Sequence, residues 1–177
     1  MRSRRALTRK SLAVSLRRVR MLAMDVDGVL TDAGMYYTES GDELKKFDTR
    51  DGMGIKMAQA AGLVTAFITR EKTALVERRG RKLAVPEVHQ GVDDKLAVLT
   101  RLARKYGLTL DQVAYIGDDV NDLDALRAVG FSAAPADAVS TVLRAVHYVC
   151  AKRGGEGAVR ELADLILVAR AQPRATR

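Results

Sequence analysis

Along the chain, apolar runs of a few residues alternate with segments whose apolar positions recur every three or four residues. "VRMLAMDV" and "LVTAFIT" are almost unbroken in apolar residues, as strands covered on both faces are. "EVHQG", "VAYIGDD", "FSAAPA" and "HYVC" continue the series as shorter strands. Between them the helical period appears in "DGMGIKMAQAAG", which stops at Gly62, and in the basic amphipathic "KTALVERRGRKLA". It returns in "DDKLAVLTRLARKYG", which stops at Gly107, then in "NDLDALRAVG", "AVSTVLRAV" and "GAVRELADLILVAR". "MYYTESGDELKKF" departs from both patterns: two short segments flank the turn-forming "ESGD", which predicts a β-hairpin. Strands alternating with helices predict an α/β domain, a Rossmann-like three-layer, doubly wound parallel sheet with a hairpin flap. Such sheets bind ligands outside the carboxyl ends of their strands. The domain is expected over residues 17–170, after a basic extension at 1–16 and before a loose tail at 171–177.

Composition narrows the class. At 177 residues, 47% hydrophobic and 29% charged, the chain has room for one proper core and not for two domains. The net charge of +8 suggests a nucleic-acid partner until it is located. Eight Lys or Arg and no acid fall in residues 1–20, and removing them from the 30 leaves 22 bases against 22 acids. The body is neutral, so a nucleic-acid partner is not expected and the extension reads as a solvated leader whose last turn is an exposed helix. The lone Cys150 cannot form an intramolecular disulfide, which points to a reducing, cytoplasmic setting. No run is apolar for long enough to span a bilayer, and "SLAVSL" is too short for a signal-peptide core. A membrane partner is not expected either.

The chemistry sits at the predicted strand ends. Asp25 and Asp27 follow the first long strand with only Val26 between them, Thr69 ends the second, and Asp118 and Asp119 end "VAYIGDD". Lys95 opens the helix that follows "HQG". Carboxylates gathered in one crevice repel one another unless a cation lies among them, and Mg²⁺ suits one or two carboxylates with phosphate and water. Such a set can move phosphate. One carboxylate attacks phosphorus, and a second, two residues on, protonates the leaving alcohol and then activates water. The cation and Lys95 neutralise the phosphoryl oxygens while the Thr69 hydroxyl donates to them.

These residues resemble the motifs of the haloacid dehalogenase-like phosphatases, taken in order. "DVDGVLTD" matches the first, Thr69 in "FIT" the second, Lys95 in "GVDDK" the third, and "GDDVND" the fourth. The resemblance implies Asp25 as nucleophile and Asp27 as acid/base. It implies Mg²⁺ held by Asp25, the main-chain carbonyl of Asp27 and Asp118, with Asp119, Asn121 and Asp122 in support. Gly28 would allow the turn after the first strand.

Most such enzymes insert a cap domain, but only 44 positions separate Asp25 from Thr69 and 26 separate Thr69 from Lys95. The chain resembles the capless subgroup that dephosphorylates 3-deoxy-2-ulosonic acid phosphates, through the hairpin, "FDTRDGMGI" and the closing "RGGEGAVRE". That subgroup forms ring-like homotetramers whose neighbouring subunits cover each site, a use that Met35, Tyr36 and Tyr37 on the hairpin would suit. Packing of those three on their own domain is the competing expectation. Arg50, Arg79, Arg153 and Arg160 are candidates for the substrate carboxylate, because a guanidinium binds such groups bidentately. After Thr69 the chain reads Arg70-Glu71-Lys72, where relatives acting on the eight-carbon acid carry Gly-Arg at the first two positions. That departure favours a nine-carbon, sialic-type acid phosphate. His89, His147 and Cys150 read as structural. The rivals are a phosphatase of macromolecular phosphate, a receiver-like phosphoacceptor, and a nucleic-acid-binding module resting on residues 1–20.

Overall fold

The computed structural model describes residues 9–171. In chain order the elements begin with α1 (Arg9–Arg18), β1 (Met21–Met24), β2 (Tyr36–Tyr37), β3 (Glu43–Leu44), α2 (Thr49–Ala60) and β4 (Val64–Ile68). They continue with α3 (Ala74–Lys82), β5 (Glu87–His89), α4 (Lys95–Lys105) and, after a 3₁₀ turn at Leu110–Gln112, β6 (Val113–Ile116). A second 3₁₀ turn at Val120–Asp122 leads into α5 (Leu123–Ala128), then β7 (Phe131–Ala134), α6 (Ser140–Leu143), β8 (Tyr148–Val149) and α7 (Ala158–Ala171). Every element expected from the hydrophobic pattern is present, with ends that move by one to three residues.

Six strands form one parallel sheet in the order β5-β4-β1-β6-β7-β8, and β2 pairs with β3 as a separate antiparallel hairpin. β1 is central, with all four residues fully buried. Successive strand residues point to opposite faces, so each strand feeds two half-cores. Leu22, Met24, Phe67, Ile116 and Phe131 pack toward α1, α2 and α7. Met21, Ala23, Ile68, Val113 and Tyr115 pack toward α4 and α5. This is the expected three-layer, doubly wound architecture.

The N-terminal segment differs from expectation. Residues 9–16, expected in a basic extension with an exposed last turn, form most of α1, and Leu16 is 3% exposed within the core. The physical reason is an apolar stripe, Leu12 and Leu16 one turn apart, that packs beside α7. Arginines from both sides reinforce the contact: Arg17 Nε donates to Ala169 O at 3.1 Å, and Arg170 of α7 donates to Val19 O at 3.4 Å. Of the tail expected at 171–177, Ala171 instead ends α7, and the rest of it, with residues 1–8 of the expected extension, lies outside the described residues.

Two distant sequence segments are joined to support the β1 end of the sheet. Asp51, in the first turn of α2, is completely buried and accepts from the backbone of Gly157 at 3.3 Å and Arg160 at 2.8 Å. It thereby caps the N-terminus of α7, whose first amides have no partner within the helix. Burial pushes the Asp51 carboxyl up to about 6 against the pull of those amides. Beside this cap, the Gly155 amide donates to Val29 O at 3.0 Å, and a Cβ on Gly154 would stand 2.0 Å from Gly28 O. The glycines of "RGGEG" let this loop press on the turn after β1.

Asp51→Ala should leave the buried α7 amides unpaired and cost about 2 kcal/mol. We expect the melting temperature to fall by about 4–8 °C, measured by calorimetry with urea unfolding as a check.

Candidate active site

The chain runs outward from β1 through β4 to β5, then returns to place β6 on the other side of β1. At that reversal the carboxyl ends of β1 and β6 face a crevice. Asp25 directly follows β1, and its amide still donates to Ile116 O at 3.0 Å, so the ladder aims it at the crevice floor. Asp118 follows β6 by two residues. The turn after Asp25 needs Gly28, which sits at φ +80°, where a Cβ would also lie 2.0 Å from Asp118 Oδ2.

Lys95 is the first residue of α4, whose start is set by the Asp94 carboxylate accepting from Ala97 N at 2.9 Å. Its Nζ stands 2.8 Å from Asp25 Oδ2 and 2.7 Å from Asp122 Oδ1, and its side chain is 1% exposed. Burial alone would lower the Lys95 pKa, but the two carboxylates outweigh it and the ammonium is held above its ordinary range. Asp122 is saturated. Oδ1 also accepts from Tyr115 Oη at 2.6 Å, and Oδ2 accepts the amides of Asp118 at 3.0 Å and Asp119 at 3.3 Å.

Asp25, Asp118 and Asp122 have carboxylate oxygens within 4.8 Å of one another. Burial, then Asp122, pushes the Asp25 carboxyl up to about 7. Burial, then Asp25 and Asp122, pushes Asp118 up to about 8. Asp118 Oδ1 is buried without a hydrogen-bond partner among the described residues. A crowded, desolvated pair of carboxylates with one orphaned oxygen fits a divalent cation with hard oxygen ligands. With Asp122 committed to Lys95, Tyr115 and two amides, Asp25 and Asp118 are the carboxylates that remain to hold it.

A cleft of about 390 Å³ opens above this floor, lined by Asp25, Asp27, Thr69, Arg70, Glu71, Asp118, Asp119, Asn121 and the flap residues Ala33 and Met35. Thr69 is 1% exposed, and its Oγ1 accepts from Glu71 N at 3.3 Å. Asp27 stands at the rim, where Lys45 Nζ donates to its Oδ1 at 2.6 Å. Burial raises the Asp27 carboxyl and Lys45 opposes that shift. Lys45 also contacts Glu71, which it draws below the usual carboxylate range. Asp119 caps the 3₁₀ turn through Val120 N at 2.6 Å.

Four of the arginines are not among the residues lining this cleft. Arg79 packs over the Phe47 ring and donates to Asp48 O at 2.9 Å, tying α3 to the start of α2. Arg50 pairs with Asp48 at 2.6 Å and Arg160 with Asp164 at 2.9 Å, and both line a groove along α7. Asp164 lies one helical turn on from Arg160 and is well placed to pair with it. Arg153 pairs with Asp137 at 3.3 Å. Arg70 is at the cleft and pairs with Asp93 at 3.4 Å, while Lys72 is exposed. His89 bonds Glu87 at 2.9 Å, His147 bonds Ser132 at 2.9 Å, and burial pushes the Cys150 thiol up to about 12. All three belong to the packing, as expected. Lys45, Tyr115 and Asp51 were not singled out from the sequence, because each acts through a partner 7 or more positions away with no motif spacing to announce it.

Residues 81–162 match the family model of haloacid dehalogenase-like hydrolases. Over 151 residues the chain is 42% identical to the 3-deoxy-D-manno-octulosonate 8-phosphate phosphatase KdsC of Escherichia coli strain K12, covering 85% of this chain and 80% of that one. A crystal structure of the phosphatase of that name from Moraxella catarrhalis, in complex with a magnesium ion, a phosphate ion and a KDO molecule, superposes with a TM-score of 0.90. It is 37% identical, with 92% of this chain and 94% of that chain covered. A probable YrbI family phosphatase from Pseudomonas syringae superposes at 0.89 with 45% identity over 92% of each chain.

Asp118→Asn should relieve the carboxylate crowding, so without divalent cation the variant melts a few degrees above the parent. Mg²⁺ at a hundredfold excess over its Kd should raise the parent's melting temperature by about 5–10 °C and leave the variant nearly unmoved. Equal shifts in the two proteins would place the ion elsewhere.

Proposed function

Because this chain belongs to the haloacid dehalogenase-like hydrolases, in the subgroup of 3-deoxy-D-manno-octulosonate 8-phosphate phosphatases, we propose that it hydrolyses that eight-carbon sugar-acid phosphate. The protein is a phosphomonoester hydrolase with Mg²⁺ as cofactor, which sets aside the receiver-like and nucleic-acid-binding readings. The observation that carries the mechanism is the placement of Asp25 beside Lys95 and Asp118 on the crevice floor, with Asp27 at its rim.

In this reading Asp25 attacks phosphorus in line with the departing sugar oxygen, forming an aspartyl phosphate. The Lys95 ammonium favours the ionised form of the Asp25 carboxyl against burial and presents fixed positive charge to the phosphoryl oxygens. Asp27 gives its proton to the sugar oxygen as the P–O bond breaks, then takes one from the water that attacks the aspartyl phosphate. Its partly desolvated carboxyl favours the protonated form needed for the first of those steps. Thr69 already accepts the Glu71 amide, so its own O–H serves the phosphoryl group as donor. Asp122 braces Lys95 and the loop that carries Asp118. Mg²⁺, held by Asp25, Asp118 and the main-chain carbonyl of Asp27, supplies charge neutralisation among the carboxylates and phosphoryl oxygens.

The names of the relatives support the eight-carbon acid. Arg70-Glu71-Lys72 supports the nine-carbon alternative, yet Glu71 is engaged by Lys45, so its charge is largely compensated before substrate arrives. We further propose that neighbouring subunits of a homotetramer close the cleft. Met35, Tyr36, Tyr37 and Leu44 of the hairpin are 42–66% exposed instead of packed on their own domain, an apolar surface suited to a partner chain. No described helix is long and apolar enough to cross a membrane, and the compartment we propose is the cytoplasm.

Turnover of eight- and nine-carbon ulosonic acid phosphates, phosphopeptides and nucleotides tests the substrate reading. We expect kcat/KM to be highest for the eight-carbon acid, and a preference for a macromolecule would refute the proposal. Asp25→Asn should lower kcat at least 10³-fold, on the order expected for loss of a nucleophile, with an unchanged circular dichroism spectrum. Light scattering should give four times the chain mass.

A further inference from the structure

Lys45 lies outside every motif of the sequence, yet three separate segments of the cleft rim converge on it. It directly follows β3, and its side chain is 2% exposed. Its Nζ stands 2.6 Å from Asp27 Oδ1, touches Glu71 Oε2 and lies 3.5 Å from Glu43 Oε1. One carboxylate follows β1, one follows β4 and one belongs to the flap. A buried ammonium is costly unless carboxylates surround it, and these three carboxylates would repel one another without it. Simple packing would be served as well by an apolar side chain. A phosphate clamp is not required here either, because Lys95 already occupies the phosphoryl end of the cleft.

We propose that Lys45 is a positioning residue for the reaction: it fixes the Asp27 carboxyl for proton exchange and fastens the hairpin and the Glu71 loop across the rim. The inference rests on the reading of Asp27 as the acid/base. Glu71 then acts through Lys45, accepting from the same ammonium as Asp27, and the hairpin is part of the catalytic scaffold. Loss of the ammonium leaves the attacking group and its cation untouched, so its signature is in kcat and not in substrate binding.

A cycle of Lys45→Met, Asp27→Asn and the double variant tests this, run with Mg²⁺ on the sugar-acid phosphate and on p-nitrophenyl phosphate. Lys45→Met should lower kcat roughly 10- to 100-fold with KM changed less than about threefold. Lys45→Arg should recover most of the loss. In the Asp27→Asn background the second substitution should cost nothing further, because its route of action is already gone. The same fold-loss in both backgrounds, or a loss confined to KM, would overturn the proposal. Full turnover by Asp27→Asn would remove the acid/base reading itself, and this inference with it. An unchanged Mg²⁺-dependent melting shift in Lys45→Met separates mispositioning from misfolding, and a lost shift would assign Lys45 a merely structural role.

Discussion

The site depends on one buried ammonium. Lys95 lies between Asp25 and Asp122, and without it two desolvated carboxylates would face each other at the centre of the sheet. Removing an acid from water is expensive, and only a nearby cation or several hydrogen bonds offset that cost. Asp122 has both: the ammonium, the Tyr115 hydroxyl and two backbone amides. Asp25 has the ammonium and one amide, so it keeps more unspent acceptor capacity. Asp118 has least, with one oxygen orphaned. This gradient of satisfaction separates three chemically identical side chains, and the mechanism we propose uses them in turn as brace, reactive group and ion ligand.

The sheet supplies the convergence. A parallel order with β1 at the centre brings the ends of β1 and β6 side by side, although 93 positions separate Asp25 from Asp118. The support beneath is equally non-local. Asp51 in α2 caps α7, and the glycine loop before α7 presses on the turn that carries Gly28. The segments "FDTRDGMGI" and "RGGEGAVRE" are therefore two halves of one buttress under the turn after β1.

The flap explains how a capless enzyme organises the rim of its cleft. The hairpin buries little of itself, which leaves Met35, Tyr36, Tyr37 and Leu44 exposed. The Lys45 ammonium, among three carboxylates, ties it to the segments that follow β1 and β4. The same ion pair changes the meaning of Glu71, whose charge looks like a specificity signal in isolation and is largely spoken for in the fold.

Legible in the residues alone were the alternation of strands and helices, the three-layer class, and the placing of Asp25, Asp27, Thr69 and Asp118 after strand ends and of Lys95 at a helix start. Those features follow from local periodicity and from side chains adjacent to strand termini, both of which are written in consecutive residues. In the N-terminal segment the charge conceals a two-residue apolar stripe, Leu12 and Leu16, that becomes meaningful only against α7. The arginine partners, the saturation of Asp122, the Asp51 cap and the Lys45 bridge were decided by tertiary structure alone. Each is an ion pair or hydrogen bond whose partner is chosen by three-dimensional proximity, and a guanidinium or ammonium takes whichever carboxylate or carbonyl packing brings nearest.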